Sequence, residues 1–151
     1  MFVVRSVRTG ERISQVNIVR EITRDSPLRE NAGERFDHCA YPDNGVVLWG
    51  WPHRHINHSC DPNAYESFEE QCSYLVARRD ISAGEEITCD YNINITNGTR
   101  WPCRCAPRCP GEVIGDFFRL STQRQREYRP LLARWFVNRH RDQIERSTAV
   151  E

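Results

Sequence analysis

The densest chemistry in this chain lies in Arg54-His-Ile-Asn-His-Ser-Cys-Asp-Pro-Asn63. On these residues alone, three readings stand open. Ser59 or Cys60 beside His58 has the parts of an activated nucleophile. Cys60 with a histidine has the parts of a metal site. Asn, Ser and Asp ahead of Pro-Asn also make a polar turn built of capping residues only.

A second cluster, Trp101-Pro-Cys-Arg-Cys-Ala-Pro-Arg-Cys109, crowds together three of the seven cysteines. The other four are Cys39, Cys60, Cys72 and Cys89. The odd count and a start, MFVVRSVRTGER, without an apolar signal segment argue against a secreted disulfide framework. In a reducing compartment the cluster reads as a metal site. Cys103, Cys105 and Cys109 supply three thiolates where a structural zinc usually takes four ligands. Cys39 and Cys72 read as small buried apolar residues. A third segment, Gly84-Glu-Glu-Ile-Thr-Cys-Asp-Tyr91, lies between the two clusters.

The three segments in this order resemble the SET-domain lysine methyltransferases. That family carries R-F-x-N-H-S-C-x-P-N, then G-E-E-L/I-T-x-D-Y, then a post-SET tail with C-x-C and a further cysteine. Here His55 takes the Phe place, and Ala77-Arg-Arg-Asp-Ile-Ser-Ala-Gly84 resembles the family's approach to its second motif. The resemblance implies a protein lysine N-methyltransferase using S-adenosylmethionine (AdoMet). It makes Tyr91 the catalytic tyrosine and Asn57, His58, Arg54 and Trp101 the cofactor-binding residues. It draws the fourth zinc ligand from Cys60, beside Cys103, Cys105 and Cys109. It also puts Cys89, two residues before Tyr91, in the substrate lysine channel. A cysteine there widens the channel and favours more than one methyl transfer, unless Tyr65 or Trp101 refills the space.

Such a reaction makes definite demands. A lysine ammonium, with an ordinary pKa of about 10.4, must lose a proton before its nitrogen attacks. The site therefore needs a narrow, largely aromatic channel with acceptors that aim the lone pair, so that positioning and electrostatics do most of the work. The family's upstream G-x-G is not in the chain, whose Phe2-Val-Val stands at the start of the pattern. Either the gene begins further upstream or the AdoMet contact is weaker. Val16-Asn-Ile-Val-Arg20 stands where the family has E-Y-x-G-E, so a second active-site tyrosine is missing from that place, and the zinc loop is C-x-C-x3-C, one residue tighter than usual.

These residues need a scaffold, and 151 residues suit one core. The expectation is mainly β: a SET domain over 1–99 of several small curled sheets, with a threaded, pseudoknot-like C-terminal segment. An irregular insert occupies 24–45, a post-SET zinc segment 100–118 and a helical tail 119–151. Strands are expected at Phe2–Val7, Ile13–Val19, Val46–Trp51 and Cys72–Ala77, with strand, turn, strand from Ile81 to Ile87. Asn92–Gly115 reads as loop. Ser121 caps a helix to Tyr128, and Pro130 opens another whose Leu131, Leu132, Trp135 and Phe136 share one face. That face reads as packed on its own domain.

No apolar run is long enough to cross a membrane. The net charge is zero, but it is unevenly distributed: residues 1–99 hold ten Arg against fifteen acids, residues 100–151 eleven against six. All 21 basic residues are arginine. The acidic body, with Glu66, Glu69, Glu70, Glu85 and Glu86, suits a lysine-containing protein or basic peptide as partner. A non-catalytic SET-type protein-binding module is the alternative. A zinc-stapled nucleic-acid module using the basic tail is the weaker one, since it lacks an aromatic platform. The expected location is the cytoplasm, or the nucleus of a eukaryote. Oligomeric state is left open.

Overall fold

The computed structural model describes residues 1–43, 45–69, 72–105 and 109–148. Glu70 of the acidic set, residues 106–108 between the tail cysteines, Asn44 of the insert and the final 149–151 lie outside the described residues. Strands β1 (Arg12–Gln15), β2 (Ile18–Glu21), β3 (Cys39–Ala40) and β4 (Val47–Trp49) precede the first motif. Strands β5 (Asn57–His58), β6 (Ala64–Phe68), β7 (Ser73–Ala77) and β8 (Thr88–Cys89) carry both motifs. Strands β9 (Thr96–Pro102) and β10 (Glu112–Asp116) follow, then helices α1 (Thr122–Tyr128), α2 (Arg134–Arg139) and α3 (Arg141–Thr148). None of these helices is long and apolar enough to cross a membrane.

The strands form small sheets, as expected: β1-β7-β6 and β2-β4-β3, both antiparallel, the antiparallel pair β9-β10, and the parallel pair β5-β8. The parallel pair matters most. It sets Asn57 opposite Thr88 and His58 opposite Cys89, and Ser59 N–H donates to the Cys89 carbonyl at 2.9 Å. Two segments thirty residues apart in sequence thus become neighbours.

Two cores hold this arrangement. The first is aliphatic and lies under the β1-β7-β6 sheet, from Val3, Val7, Ile56, Ala64, Leu75, Ala77, Ile81 and Ile87. The second is aromatic and belongs to the tail, from Phe117, Tyr128, Ala133, Phe136 and Ile144, with Leu131, Leu132 and Trp135 packed against it. The helical face therefore packs on its own domain, as expected.

Several local expectations fail. Phe2–Val7 is not a strand; only Phe2 and Val7 pair, as isolated bridges to Glu86 and Ile81. The segment 13–19 bends at Val16-Asn17 and serves two sheets as β1 and β2, because Val16 turns into the core while Asn17 N–H meets the His53 ring. The expected loop 92–115 contains the β9-β10 hairpin. Its first strand is mostly exposed and reads Thr-Asn-Gly-Thr-Arg-Trp-Pro, so it lacks the apolar alternation that marks a strand. Pro130 opens a 3-10 turn, Arg129–Leu131, and the next helix begins only at Arg134. Ser121 does cap α1, its hydroxyl accepting from Arg124 N–H at 3.3 Å.

Candidate active site

Tyr91 follows β8 and packs across from the end of β5. Its hydroxyl donates to the Ile56 carbonyl at 2.5 Å, and its backbone N–H donates to His58 Nδ1 at 3.1 Å. Burial pushes its phenol up to about 12, so it stays neutral and keeps its proton. The residue is nonetheless 38% exposed, on the wall of a cleft of about 1050 Å³.

His58 ties three features together. Its ring lies 5.2 Å from Tyr91 and 5.9 Å from Trp101, centroid to centroid. Burial holds it below its ordinary pKa, so it is neutral. Since Nδ1 accepts from Tyr91, the ring proton sits on Nε2, 3.3 Å from Cys60 Sγ, and Nε2–H donates to that sulfur.

The expected metal cysteines converge on the same point. Cys60 N–H donates to Cys105 Sγ at 3.1 Å, and Cys60 Sγ lies 3.9 Å from Cys109 Sγ. The ligand atoms of His58, Cys60, Cys103 and Cys105 all fall within 4.8 Å of one another. Four thiols from two distant segments therefore share one small volume. Tetrahedral zinc at 2.3 Å from each sulfur requires S···S separations of about 3.8 Å, which this spacing fits. The backbone N–H of Gly111 draws the Cys109 thiol down to about 7, while burial raises Cys60.

The expected cofactor residues are less uniform. Trp101, on β9, faces the cleft 6.0 Å from the Tyr91 ring. Gly115 on β10 makes room for it: a side chain there would begin 3.3 Å from the indole and 2.8 Å from Asn97 Oδ1. Arg54 lines the cleft and contacts His55 at 3.2 Å. Asn57 is exposed, with its amide donating to Glu86 Oε1 at 2.7 Å. Cys89 and Tyr65 both line the cleft, and burial, then Glu66 and Asp90, push the Cys89 thiol well above its ordinary range.

The acidic set does not act as one free patch. Glu69 pairs with Arg12, Glu85 with Arg79, and Glu86 holds Asn57. Glu66 stands apart, inside the cleft wall.

Three cleft residues were not foreseen. Tyr41 comes from the insert, so a tyrosine does face the cleft although none stands at 16–20. Phe68 and Trp135 meet edge to face at 6.5 Å, so the helical tail forms part of the wall. No local pattern marks Tyr41. The helical spacing found the apolar face of Trp135 but not what it lines. Asp90 is the further link: it accepts from Tyr128 O–H at 2.9 Å, joining the second motif to α1.

A Drosophila melanogaster protein named histone-lysine N-methyltransferase ash1 is 35% identical over 94 residues, 56% of this chain and 4% of that one. A histone-lysine N-methyltransferase, H3 lysine-36 specific, of Eremothecium gossypii is 46% identical over 67 residues, 41% of this chain and 10% of that one. The chain thus spans a tenth or less of either relative. A solved structure of a histone methyltransferase candidate from Plasmodium falciparum aligns with a TM-score of 0.45 and 22% identity, over 60% of this chain and 84% of that one. Residues 1–92 match the model of the SET domain, and the chain belongs to that family.

Proposed function

We propose that this chain is a protein lysine N-methyltransferase that uses AdoMet and acts on a lysine of a basic, histone-like protein. The observation that carries the reading is the fixed Tyr91: a neutral phenol, bonded to the Ile56 carbonyl, beside His58 and Trp101 on an aromatic cleft. Tyr91 donates its proton to Ile56 O, so its oxygen lone pairs are free to face a polarised methyl or an amine. Tyr41, Tyr65, Phe68 and Trp135 exclude water from the approach. Asn57, His58, Arg54 and Trp101 would hold AdoMet, which supplies an electrophilic methyl on a cationic sulfur.

Cys60, Cys103, Cys105 and Cys109 would hold one structural zinc, with His58 Nε2–H supporting a sulfur rather than binding the metal. That centre ties the first motif to the hairpin that carries Trp101, and so closes one side of the site.

The test is transfer from labelled AdoMet to recombinant core histones, with the modified residue located by mass spectrometry. Label is expected on lysine, and Tyr91→Phe should lower the rate by about a hundredfold or more. The chain holds no lysine of its own, so label on the chain itself would point to other chemistry. No transfer and no calorimetric heat with AdoMet would favour a SET-type protein-binding module instead.

A further inference from the structure

Side chains alternate along β6, and Ala64, Glu66 and Phe68 share the face opposite Ser73, Leu75 and Ala77 of β7. That is the core face: Ala64 is 0% exposed and Leu75 1%. Glu66 thus takes an inward position in a strand where its neighbours are apolar. Its carboxyl reaches the cleft wall beside Cys89, where the small thiol leaves space that an aromatic ring would fill. None of the ion pairs among the described residues includes it. An acid in such a place is held there at a cost and needs a cationic or proton-donating partner.

We propose that Glu66 receives the substrate lysine's proton and holds its ammonium head in the channel. The inference rests on the lysine-methyltransferase reading above. In the step, an N–H bond of the ammonium breaks and its proton moves to Glu66 Oε. The freed lone pair forms the new N–C bond, and the electron pair of the breaking C–S bond returns to sulfur. Glu66 then releases its proton to water through the cleft.

Burial pushes the Glu66 carboxyl up to about 7, with Ser73 opposing the rise, which suits an acceptor working near neutral pH. The groups facing it leave that titration to Glu66. From β8 comes Cys89, whose thiol stays protonated, and beyond it Tyr91, neutral up to about 12. From β7 come Ser73, Leu75 and Ala77, none of which ionises. From the turn packed on β6 comes Arg129, an exposed residue with contacts of its own, whose guanidinium keeps its charge throughout this range.

The experiment compares wild type, Glu66→Gln and Glu66→Asp on core histones over about pH 5.5 to 9. Wild-type rate should rise with pH through an inflection near 7, because only the ionised carboxylate accepts a proton. Glu66→Gln should lose about 10²–10⁴-fold and that inflection. Glu66→Asp should recover part of the rate and the inflection. Calorimetric AdoMet affinity should be the same in all three, which reports an intact fold. n-Butylammonium, the lysine stem and head alone, should bind wild type about tenfold more tightly than Glu66→Gln. Transfer by wild type and Glu66→Gln with one shared rate and pH profile overturns the role of Glu66 alone. A wild type that labels no lysine, with n-butylammonium perturbing neither protein, removes the methyltransferase reading and this role with it.

Discussion

The two cores of this molecule solve different problems. The aliphatic core under β1, β7 and β6 is built from residues spread from Val3 to Ile87, and through Ile56 and Ile87 it backs the pairing of β5 on β8. The aromatic core after β10 is built almost wholly from residues close in sequence, Phe117 to Ile144. It meets the first region at several points, among them Phe68 on Trp135, Asp90 on Tyr128, Arg78 with Glu127 and Arg124 with Asp61. The first core places the candidate reacting residues. The second supplies bulk to the cleft wall and a buried anchor for Asp90. The site stands where they meet, so each region should fail in its own way when broken.

The largest effect is expected from the second region. Phe136 is 1% exposed and packs against Phe117, Phe118 and Trp135. Phe136→Ala should cost about 3–5 kcal/mol, and Leu75→Ala in the first core about 2–5 kcal/mol. Denaturant unfolding measures both. If the two cores are as distinct as their separate residue sets imply, Phe136→Ala will loosen α1–α3 first in hydrogen exchange, while Leu75→Ala lowers protection everywhere. Equal and global loss in both variants would show that the two cores unfold as one.

The join between the regions gives the next effect. Cys60 belongs to the first motif, and Cys103, Cys105 and Cys109 to the hairpin that precedes the second core. Cys60→Ser should loosen zinc and AdoMet together, since one residue serves both walls. Chelation of the wild type should reproduce the loss. Metal analysis showing one tightly held zinc in Cys60→Ser, with AdoMet affinity unchanged, would detach Cys60 from the centre.

The same division governs what the sequence made readable. The candidate site residues of the first region lie in short contiguous segments whose chemistry is written locally: Asn57-His58-Ser59-Cys60 and Cys89-Asp90-Tyr91. The convergence of Cys60 on the tail cysteines came from the resemblance and not from the residues alone. The far wall was hidden because Tyr41, Phe68 and Trp135 reach the cleft from three unrelated elements, and nothing local announces such a meeting. The β9-β10 hairpin was hidden for another reason: β9 is mostly polar and exposed, without apolar alternation, and Asn97-Gly98 reads as a turn. Nothing in the sequence sets Glu66 apart from the rest of the acidic set, because an acid on the inward face of a five-residue strand contradicts the pattern that would locate it.

The smallest effect isolates the polar bracket of the first region. Asn63 is buried, with its amide donating to Glu85 Oε1 at 3.0 Å and to the Glu86 carbonyl at 2.8 Å, while its oxygen accepts from Thr88 N–H at 2.9 Å. It therefore braces β8 directly. Arg79, then Asn63 and the Ser82 N–H, hold the Glu85 carboxyl down to about 2 against an ordinary 4.5. A folded-state pKa below the unfolded one means that the unfolded chain binds more protons between the two values. The stability from Glu85 is thus fully present above about 4.5 and is lost as pH falls toward 2. Glu85→Gln should lower stability modestly at pH 7 and make it less sensitive to acid in that window, with the two proteins converging near pH 2. The effect should be small because the carboxylate is only partly covered and salt screens its pair with Arg79. Denaturant midpoints measured from pH 7 to 2 provide the check. A constant gap between wild type and variant at every pH would mean that Glu85 braces β8 by its shape and hydrogen bonds alone, with its charge contributing nothing.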